Sequence, residues 1–303
     1  MKKALVLGGA GFIGTALVKR LYEIGFDVTA MDRYWSVKPD GVECLTGDIF
    51  DTACLNDVMP NQNIVFHLVS TTVPASSNKS PIFDCETNVV GALKVLDAMV
   101  ENNVGKIVFS SSGGTVYGIP DSIPITEDAP NFPISAYGIG KLAIEKYLNL
   151  YSYLYGMHAV ALRISNPYGP GQAPEKGQGV IATFVKRALL GETIEIYGDG
   201  SVVRDFIYID DVIDALIASE QIRKPFSLVN IGLGQGISLL EVLVSIEKVL
   251  GNKVTATFRP SRVCDVPEVV LDVQKARSVL GWRPKHSFEE GLKMLVEHMS
   301  QVP

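Results

Sequence analysis

The sequence predicts an α/β chain: a doubly wound parallel sheet with helices on both faces, joined to a smaller, partly interleaved α/β unit. Three observations predict it. Short apolar runs alternate with helix-period runs through the first half of the chain, a pattern that gives parallel strands linked by crossover helices. A glycine-rich stretch sits at the first strand-to-helix junction, on the edge where such sheets carry their sites. After residue 165 the texture changes to Gly- and Pro-rich loops and short mixed elements, with no low-complexity linker. The 303 residues are enough for one or two domains with buried cores. The expected division is 1–165 plus about 204–230 for the sheet domain, and about 166–203 plus 231–303 for the smaller one. The two should pack as one body with a cleft between them.

The elements follow in order. Residues 3–7 form a short apolar strand, 14–23 a helix and 27–31 a second strand; 64–69 and 106–110 are two further strands. Between these last two, Val89, Leu93, Leu96 and Val100 recur at helical spacing within 87–102. A helix is also expected from Tyr137 to Tyr155. Residues 166–179 are crowded with Gly and Pro and read as loop. A helix over 181–190 and a strand over 193–197 come next, the strand ending at Gly198-Asp199-Gly200.

Composition excludes several classes. The chain is 47% hydrophobic and 20% charged, with a net charge of −6 and no block of Lys and Arg, which disfavours a nucleic-acid partner. No run of 18 apolar residues suggests a membrane span. Met1-Lys2-Lys3 and the apolar run behind it superficially match an export signal. Glycines interrupt that run, Lys19-Arg20 closes it and no small-residue cleavage site follows, so a cytoplasmic protein is expected. Cys44, Cys54, Cys85 and Cys264 form no CxxC pair and no zinc spacing with the histidines; they read as reduced thiols. His67, His158, His286 and His298 read as structural, and no metal site is expected.

Gly8-Gly9-Ala10-Gly11-Phe12-Ile13-Gly14 follows the first strand and opens the first helix. Backbone amides and the positive end of the helix dipole face outward there, a seat for a pyrophosphate. Glycine serves where the chain turns tightly and where phosphate meets bare backbone. Asp32 ends the second strand, where an acid accepts hydrogen bonds from ribose hydroxyls and repels a 2′-phosphate, favouring NAD over NADP. Arg33 beside it softens that preference. Asp48-Ile49 stands where a third strand should end, near the adenine. Together these make the sheet domain Rossmann-type.

Tyr137 and Lys141 lie four apart, hence on one helix face. A phenol ordinarily ionises near 10. A neighbouring ammonium and the positive nicotinamide both favour the phenolate, and bringing it to about 7 takes roughly 4 kcal/mol. Such a phenolate removes a hydroxyl proton while hydride leaves the same carbon. The spacing alone is weak, since Tyr34 and Lys38 reproduce it, in a loop ended by Pro39. Tyr137 differs because a strand ending in Ser110-Ser111-Ser112 precedes it and delivers hydroxyls to the nicotinamide end of the cofactor.

Assembled, GGAGFIG at 8–14, SSSGGTVYG at 110–118, YGIGK at 137–141, SNPYGPGQ at 165–172, IYGDGSVVRDFIYIDDV at 196–212, RVCD at 262–265 and LGWRPKHSFEEGL at 280–292 resemble the extended short-chain dehydrogenase/reductase family. Within it they are most similar to the nucleotide-sugar epimerases and dehydratases. The resemblance covers nearly the whole chain. It implies a hydroxyl that hydrogen-bonds the sugar oxygen beside Tyr137, with Ser112 and Thr115 as candidates. The extra glycine relative to SSSATVYG leaves Ser111 open as well. It also implies that Leu68, Ser70 and Asn88 lie near the cofactor, with HLVS at 67–70 in place of the usual HLAA. Asn166, Arg204, Arg262 and Asp265 match positions that hold the nucleotide diphosphate and ribose; arginine's fork suits phosphate oxygens and aspartate suits a diol. Relatives commonly dimerise through helices corresponding to 87–102 and 137–155, so a homodimer is expected, although core packing explains the apolar residues there equally.

Family dehydratases carry an Asp-Glu pair before VYG, since expelling a hydroxyl needs an acid and a base; here the slot reads Gly113-Gly114-Thr115. The resemblance therefore implies an NAD-dependent 4-epimerase of a nucleotide-diphosphate sugar, UDP-linked, working through a transient 4-keto sugar. The alternatives are a ketoreductase or dehydratase of the same family and a non-catalytic NAD-binding protein.

Overall fold

The computed structural model describes residues 1–173, 179–261 and 266–301. The strands are β1 (Lys3–Leu7), β2 (Asp27–Asp32), β3 (Glu43–Thr46), β4 (Ile64–His67), β5 (Lys106–Ser112), β6 (His158–Ile164), β7 (Asn166–Tyr168), β8 (Ile194–Tyr197), β9 (Val203–Tyr208), β10 (Phe226–Ile231), β11 (Gly236–Ser238), β12 (Ala256–Arg259) and β13 (Glu268–Val269). The helices are α1 (Phe12–Glu23), α2 (Thr52–Val58), α3 (Pro74–Ser77), α4 (Pro81–Asp84), α5 (Gly91–Glu101), α6 (Ala136–Tyr155), α7 (Val180–Leu189), α8 (Ile209–Ala218), α9 (Leu239–Leu250), α10 (Gln274–Leu280) and α11 (Phe288–Gln301).

Seven strands form one parallel sheet in the order β10-β6-β5-β4-β1-β2-β3, the Rossmann-type α/β arrangement. Alternation along β1 shows how both faces are covered. Ala4 and Val6 join the core beneath α1 and α8, while Leu5 and Leu7 join the core beneath α2, α5 and α6. Strands buried on both faces are apolar throughout, as parallel sheets require. The smaller unit holds β9 between β11 and β13, with β7 also paired to β9, and a separate β8–β12 pair. Among the described residues no helix is long and apolar enough to cross a membrane.

The differences from the expected elements have local causes. Residues 166–168, expected as loop, form β7 because they pair in parallel with Phe206–Tyr208; residues 174–178 of that stretch lie outside the described residues. The strand expected over 64–69 ends at His67, and Leu68 N–H donates to Leu7 O at 2.9 Å as the chain leaves the sheet. The first turns of the helix expected over 87–102 are π-wound, Cys85–Val90, a winding often found at functional sites.

Two polar anchors fix this framework. The Lys106 ammonium, at the amino end of β5, is buried and donates to the carbonyls of Ile222 (2.6 Å) and Glu220. Arg163 on β6 and Glu145 on α6 form a two-pronged pair, Nε–Oε1 3.0 Å and Nη2–Oε2 2.7 Å, with side chains only 1% and 2% exposed. The guanidinium also lies 4.6 Å over the Tyr117 ring, and the Tyr117 hydroxyl donates to Asn230 Oδ1 at 2.6 Å. Removing one partner of a buried pair strands the other charge. Glu145→Ala is therefore expected to cost about 3–5 kcal/mol in a denaturant titration; a loss of only a few tenths would contradict this reading.

Candidate active site

The glycine loop is shaped by contacts that side chains would forbid. A Cβ on Gly14 would stand 2.0 Å from Gly8 O, and one on Gly8, whose φ is +86°, would meet the Leu68 and Val69 backbone at 3.0 Å. The helix start and the β1 turn therefore approach as bare backbone. Gly11 caps α1 without a side chain, which leaves the first-turn amides without a side-chain partner. Gly8, Gly11, Phe12, Ile13 and Gly14 all line a cleft of about 590 Å³. At the end of β2, Asp32 Oδ2 accepts from Ala10 N–H (3.0 Å) and Oδ1 from Arg33 N–H (2.7 Å), so loop and acid are held as one piece. These residues fit a dinucleotide: bare amides at a helix start and an oriented acid at the next strand end.

The other sequence-designated cofactor residues are placed variously. Leu68, Ser70, Ser110, Tyr137 and Lys141 line the same cleft, and Arg33 is exposed. Asp48 follows β3 and accepts from Phe50 N–H at 3.0 Å, whereas Ile49 is buried beneath Gly91. Asn88 is buried away from the cleft lining. It accepts from Thr71 N–H (3.0 Å) and donates to Thr72 Oγ1 and Asp84 Oδ1, both at 3.2 Å.

Tyr137 and Lys141 sit in the first two turns of α6. Ser135 caps the helix by accepting from Gly138 N–H at 3.1 Å. Asn78 and Ser77, on and beside α3, accept from the backbone N–H groups of Ala136 (2.8 Å) and Tyr137 (3.1 Å). All three donors would otherwise be orphans of the helix start. The Lys141 ammonium donates to Ser110 O at 2.8 Å and lies 5.5 Å from the Tyr137 ring centre and 4.7 Å from that of Phe109. Burial pushes its affinity for a proton down, to about 8, against the pull of Asp84 and Glu145.

Burial pushes the Tyr137 phenol up to about 12, and the Asp84 carboxylate adds to this; hydrogen bonds from Ser70 and Ser112 act the other way. The expected ionisation near 7 is therefore not reached by the protein's own groups. The lysine spends its ammonium on a carbonyl, and desolvation of the phenolate outweighs two hydroxyl bonds.

The structure separates the three candidate hydroxyls. Ser111 Oγ donates to Glu145 Oε1 at 2.5 Å and is committed to the buried ion pair. Ser112 stands at the Tyr137 hydroxyl. Thr115 Oγ1 is buried without a partner, and the residue lines the cleft. Gly114 also lines it, and a Cβ there would meet nothing nearer than 3.8 Å. Among the described lining residues the one carboxylate is Glu195, held in an ion pair with Arg259 at 2.6 Å.

The cleft is also lined by Asn166, whose Nδ2 donates to Asp205 O at 3.1 Å, and by Arg204, whose Nη1 donates to Val203 O at 2.8 Å. Arg262 and Asp265 lie outside the described residues. Gln172, Phe184 and Tyr197 also line the cleft and were not singled out from sequence. Of these, Gln172, the last residue of SNPYGPGQ, and Tyr197, ahead of Gly198-Asp199-Gly200, stood in recognisable motifs, whereas Phe184 did not. His67 is buried and stacked on Phe109, and burial lowers its imidazole to about 3. No group of three or more His, Cys, Asp or Glu able to hold a metal ion occurs among the described residues.

With this geometry in place, the comparisons are specific. Residues 4–232 match the model of the NAD dependent epimerase/dehydratase family, and the chain belongs to that family. It is 35% identical over 300 residues to a putative UDP-glucose 4-epimerase of Methanocaldococcus jannaschii, covering 97% of each chain. It is similar to the crystal structure of a Thermotoga maritima UDP-glucose 4-epimerase with UDP-glucose (TM-score 0.95, 36% identity, 99% of each chain). It is also similar to a Thermus thermophilus UDP-glucose 4-epimerase complex with NAD (TM-score 0.93, 33% identity, 99% of this chain and 100% of that one).

Because the Gly8 carbonyl and the Gly14 position are backbone against backbone, neither yields to an added methyl. Gly14→Ala is expected to abolish measurable NAD binding in calorimetry. Binding at wild-type affinity would show that the close approach does not shape the site.

Proposed function

We propose that the protein is an NAD-dependent 4-epimerase of a UDP-linked hexose. The observation that carries this reading is that one cleft is lined by a bare-backbone dinucleotide seat, by Tyr137, Lys141, Ser112 and Thr115, and by Asn166 and Arg204. The absence of an acid at 113–115 supports epimerisation over dehydration, since no described carboxylate lines the cleft near Tyr137.

NAD, which the glycine loop with Asp32 would hold, would supply a reversible hydride acceptor. The chain's own residues do the rest. Ser112 and Thr115 orient the C4 hydroxyl toward the Tyr137 oxygen, which takes its proton as the C4–H bond breaks. The Lys141 ammonium and Ser70 stabilise the phenolate that accepts this proton. Asn166 and Arg204 hold the diphosphate, joined by Arg262, with Asp265 on the ribose. Anchored through its diphosphate, the 4-keto sugar is free to present either face to the cofactor side of the cleft, and Tyr137 gives the proton back as the C4 hydroxyl is restored. Asp32 holds the adenosine ribose with Arg33 beside it, and Asp48 and Ile49 edge the adenine. Leu68 and Asn88 support the cofactor side of the loop.

The same reading assigns residues 1–165 and about 204–230 to cofactor binding, and about 166–203 and 231–303 to the nucleotide sugar. It places the enzyme in the cytoplasm as a homodimer. The exposed Tyr147, Leu150, Tyr153, Leu154 and Tyr155 of α6 support the pairing of that helix with a second copy.

Purified protein incubated with UDP-glucose, UDP-galactose and their N-acetyl and uronic forms is expected to interconvert a C4 pair by NMR without added NAD. Turnover that consumes stoichiometric NADH would replace this reading with a ketoreductase. Tyr137→Phe is expected to lower the rate by roughly a hundredfold to ten-thousandfold while NAD stays bound. Wild-type turnover in that variant would remove Tyr137 from the reaction.

A further inference from the structure

Behind Tyr137 and Lys141 lies a carboxylate that the proposed reaction does not use. Asp84 ends α4 and is 2% exposed. Its Oδ1 accepts from the Thr72 hydroxyl and, at 3.2 Å, from Asn88 Nδ2. Its Oδ2 faces α6 at Gly140, where a Cβ would stand 3.2 Å from that oxygen. Glycine thus leaves the helix face bare between Tyr137 and Lys141, and the carboxylate occupies that space. Burying an ionised carboxylate is costly unless it is bonded and paired. Thr72 and Asn88 bond it; the nearby cation on α6 is Lys141.

We propose that Asp84 is a positioning residue whose charge is the counter-ion of the Lys141 ammonium, so that it sets the pH range over which the Tyr137–Lys141 pair works. The proposal rests on the reading of Tyr137 and Lys141 given above.

The surrounding charges leave this role to Asp84. On α6, Lys141 has Tyr137 one turn before it and Glu145 one turn after. Glu145 is shared with Arg163 of β6 through two bonds, which largely neutralises it. From β4, His67 is held neutral by burial, and β5 presents hydroxyls and a carbonyl. Asp84 pulls the proton affinities of both Lys141 and Tyr137 upward. The sign follows. With Asp84 ionised, Lys141 keeps its charge to higher pH, and Tyr137 gives up its proton at higher pH. Without that charge both transitions move to lower pH.

The test is Asp84→Asn, which keeps the shape and loses the charge. The readout is the titration of Lys141 in protein labelled with 13Cε-lysine, the signal assigned by its loss in Lys141→Arg. The Lys141 transition, near 8 in the wild type, is expected to fall by about one pH unit. Both limbs of the kcat/KM profile should follow it downward. If Asp84→Asn does not fold, Asp84→Ser serves, since it keeps a hydroxyl for Thr72 and Asn88. An unmoved Lys141 transition overturns the proposal, including where activity or stability falls, because a purely structural Asp84 gives that result. The titration needs no substrate, so failure of the epimerase reading leaves this outcome decisive.

Discussion

The cleft exists because one buried carboxylate holds two sheets together. Asp205 lies on β9 and is fully buried. Its Oδ1 accepts from Leu233 N–H (2.7 Å) and Ser165 Oγ (3.3 Å), and its Oδ2 from Gly234 N–H (3.1 Å) and Leu271 N–H (3.2 Å). Those donors follow β10, β6 and β13, so the knot joins the carboxyl ends of the main sheet to the smaller one. Gly232 has no Cβ because one would stand 2.4 Å from Oδ2. The residue before Asp205 is Arg204, and the Asp205 carbonyl accepts from Asn166 Nδ2. Hence Asn166 and Arg204 are set in the cleft by the bond network that joins the two sheets.

Burial gives the reaction centre its character. Burial moves both groups toward their neutral forms, the phenol up to about 12 and the ammonium down to about 8, each against the task assigned to it. The protein balances this with a few oriented groups rather than with solvent: Ser70 and Ser112 on the phenol, the Ser110 carbonyl on the ammonium, and carboxylates at one remove. In a dry site each such group acts more strongly than it would in water. The arrangement also leaves the tyrosine protonated until a positive charge arrives beside it, which ties its readiness as a base to the occupied cleft.

How much of this was legible in the sequence depends on where the constraint is written. Gly8, Gly11 and Gly14 could be read because a demand for bare backbone appears directly as residue identity. Asp32 could be read from its place at a strand end, and Tyr137 with Lys141 from helical spacing. The choice among Ser111, Ser112 and Thr115 could not, because it turns on Glu145, 34 residues beyond Ser111. Asp84 was invisible for a similar reason: its surroundings come from Thr72, Asn88 and Gly140, which no local pattern connects. β7 was masked by its own Gly and Pro, since three residues form a strand there only through pairing with β9. The size of the desolvation that a nearby positive charge must offset at Tyr137 was likewise not legible, since it is a property of the assembled cleft.

Strand β5 behaves like a ruler clamped at one end. Its side chains alternate between faces, so Ser111 turns to Glu145 while Ser112 turns to the tyrosine. A slip of a single residue would exchange the two faces and offer the committed hydroxyl where the free one belongs. At the opposite end the same strand is pinned by the Lys106 ammonium between two carbonyls, far from any chemistry. The choice of which hydroxyl faces the cleft is thereby guarded by a lysine at the other end of the strand, too far away to touch it.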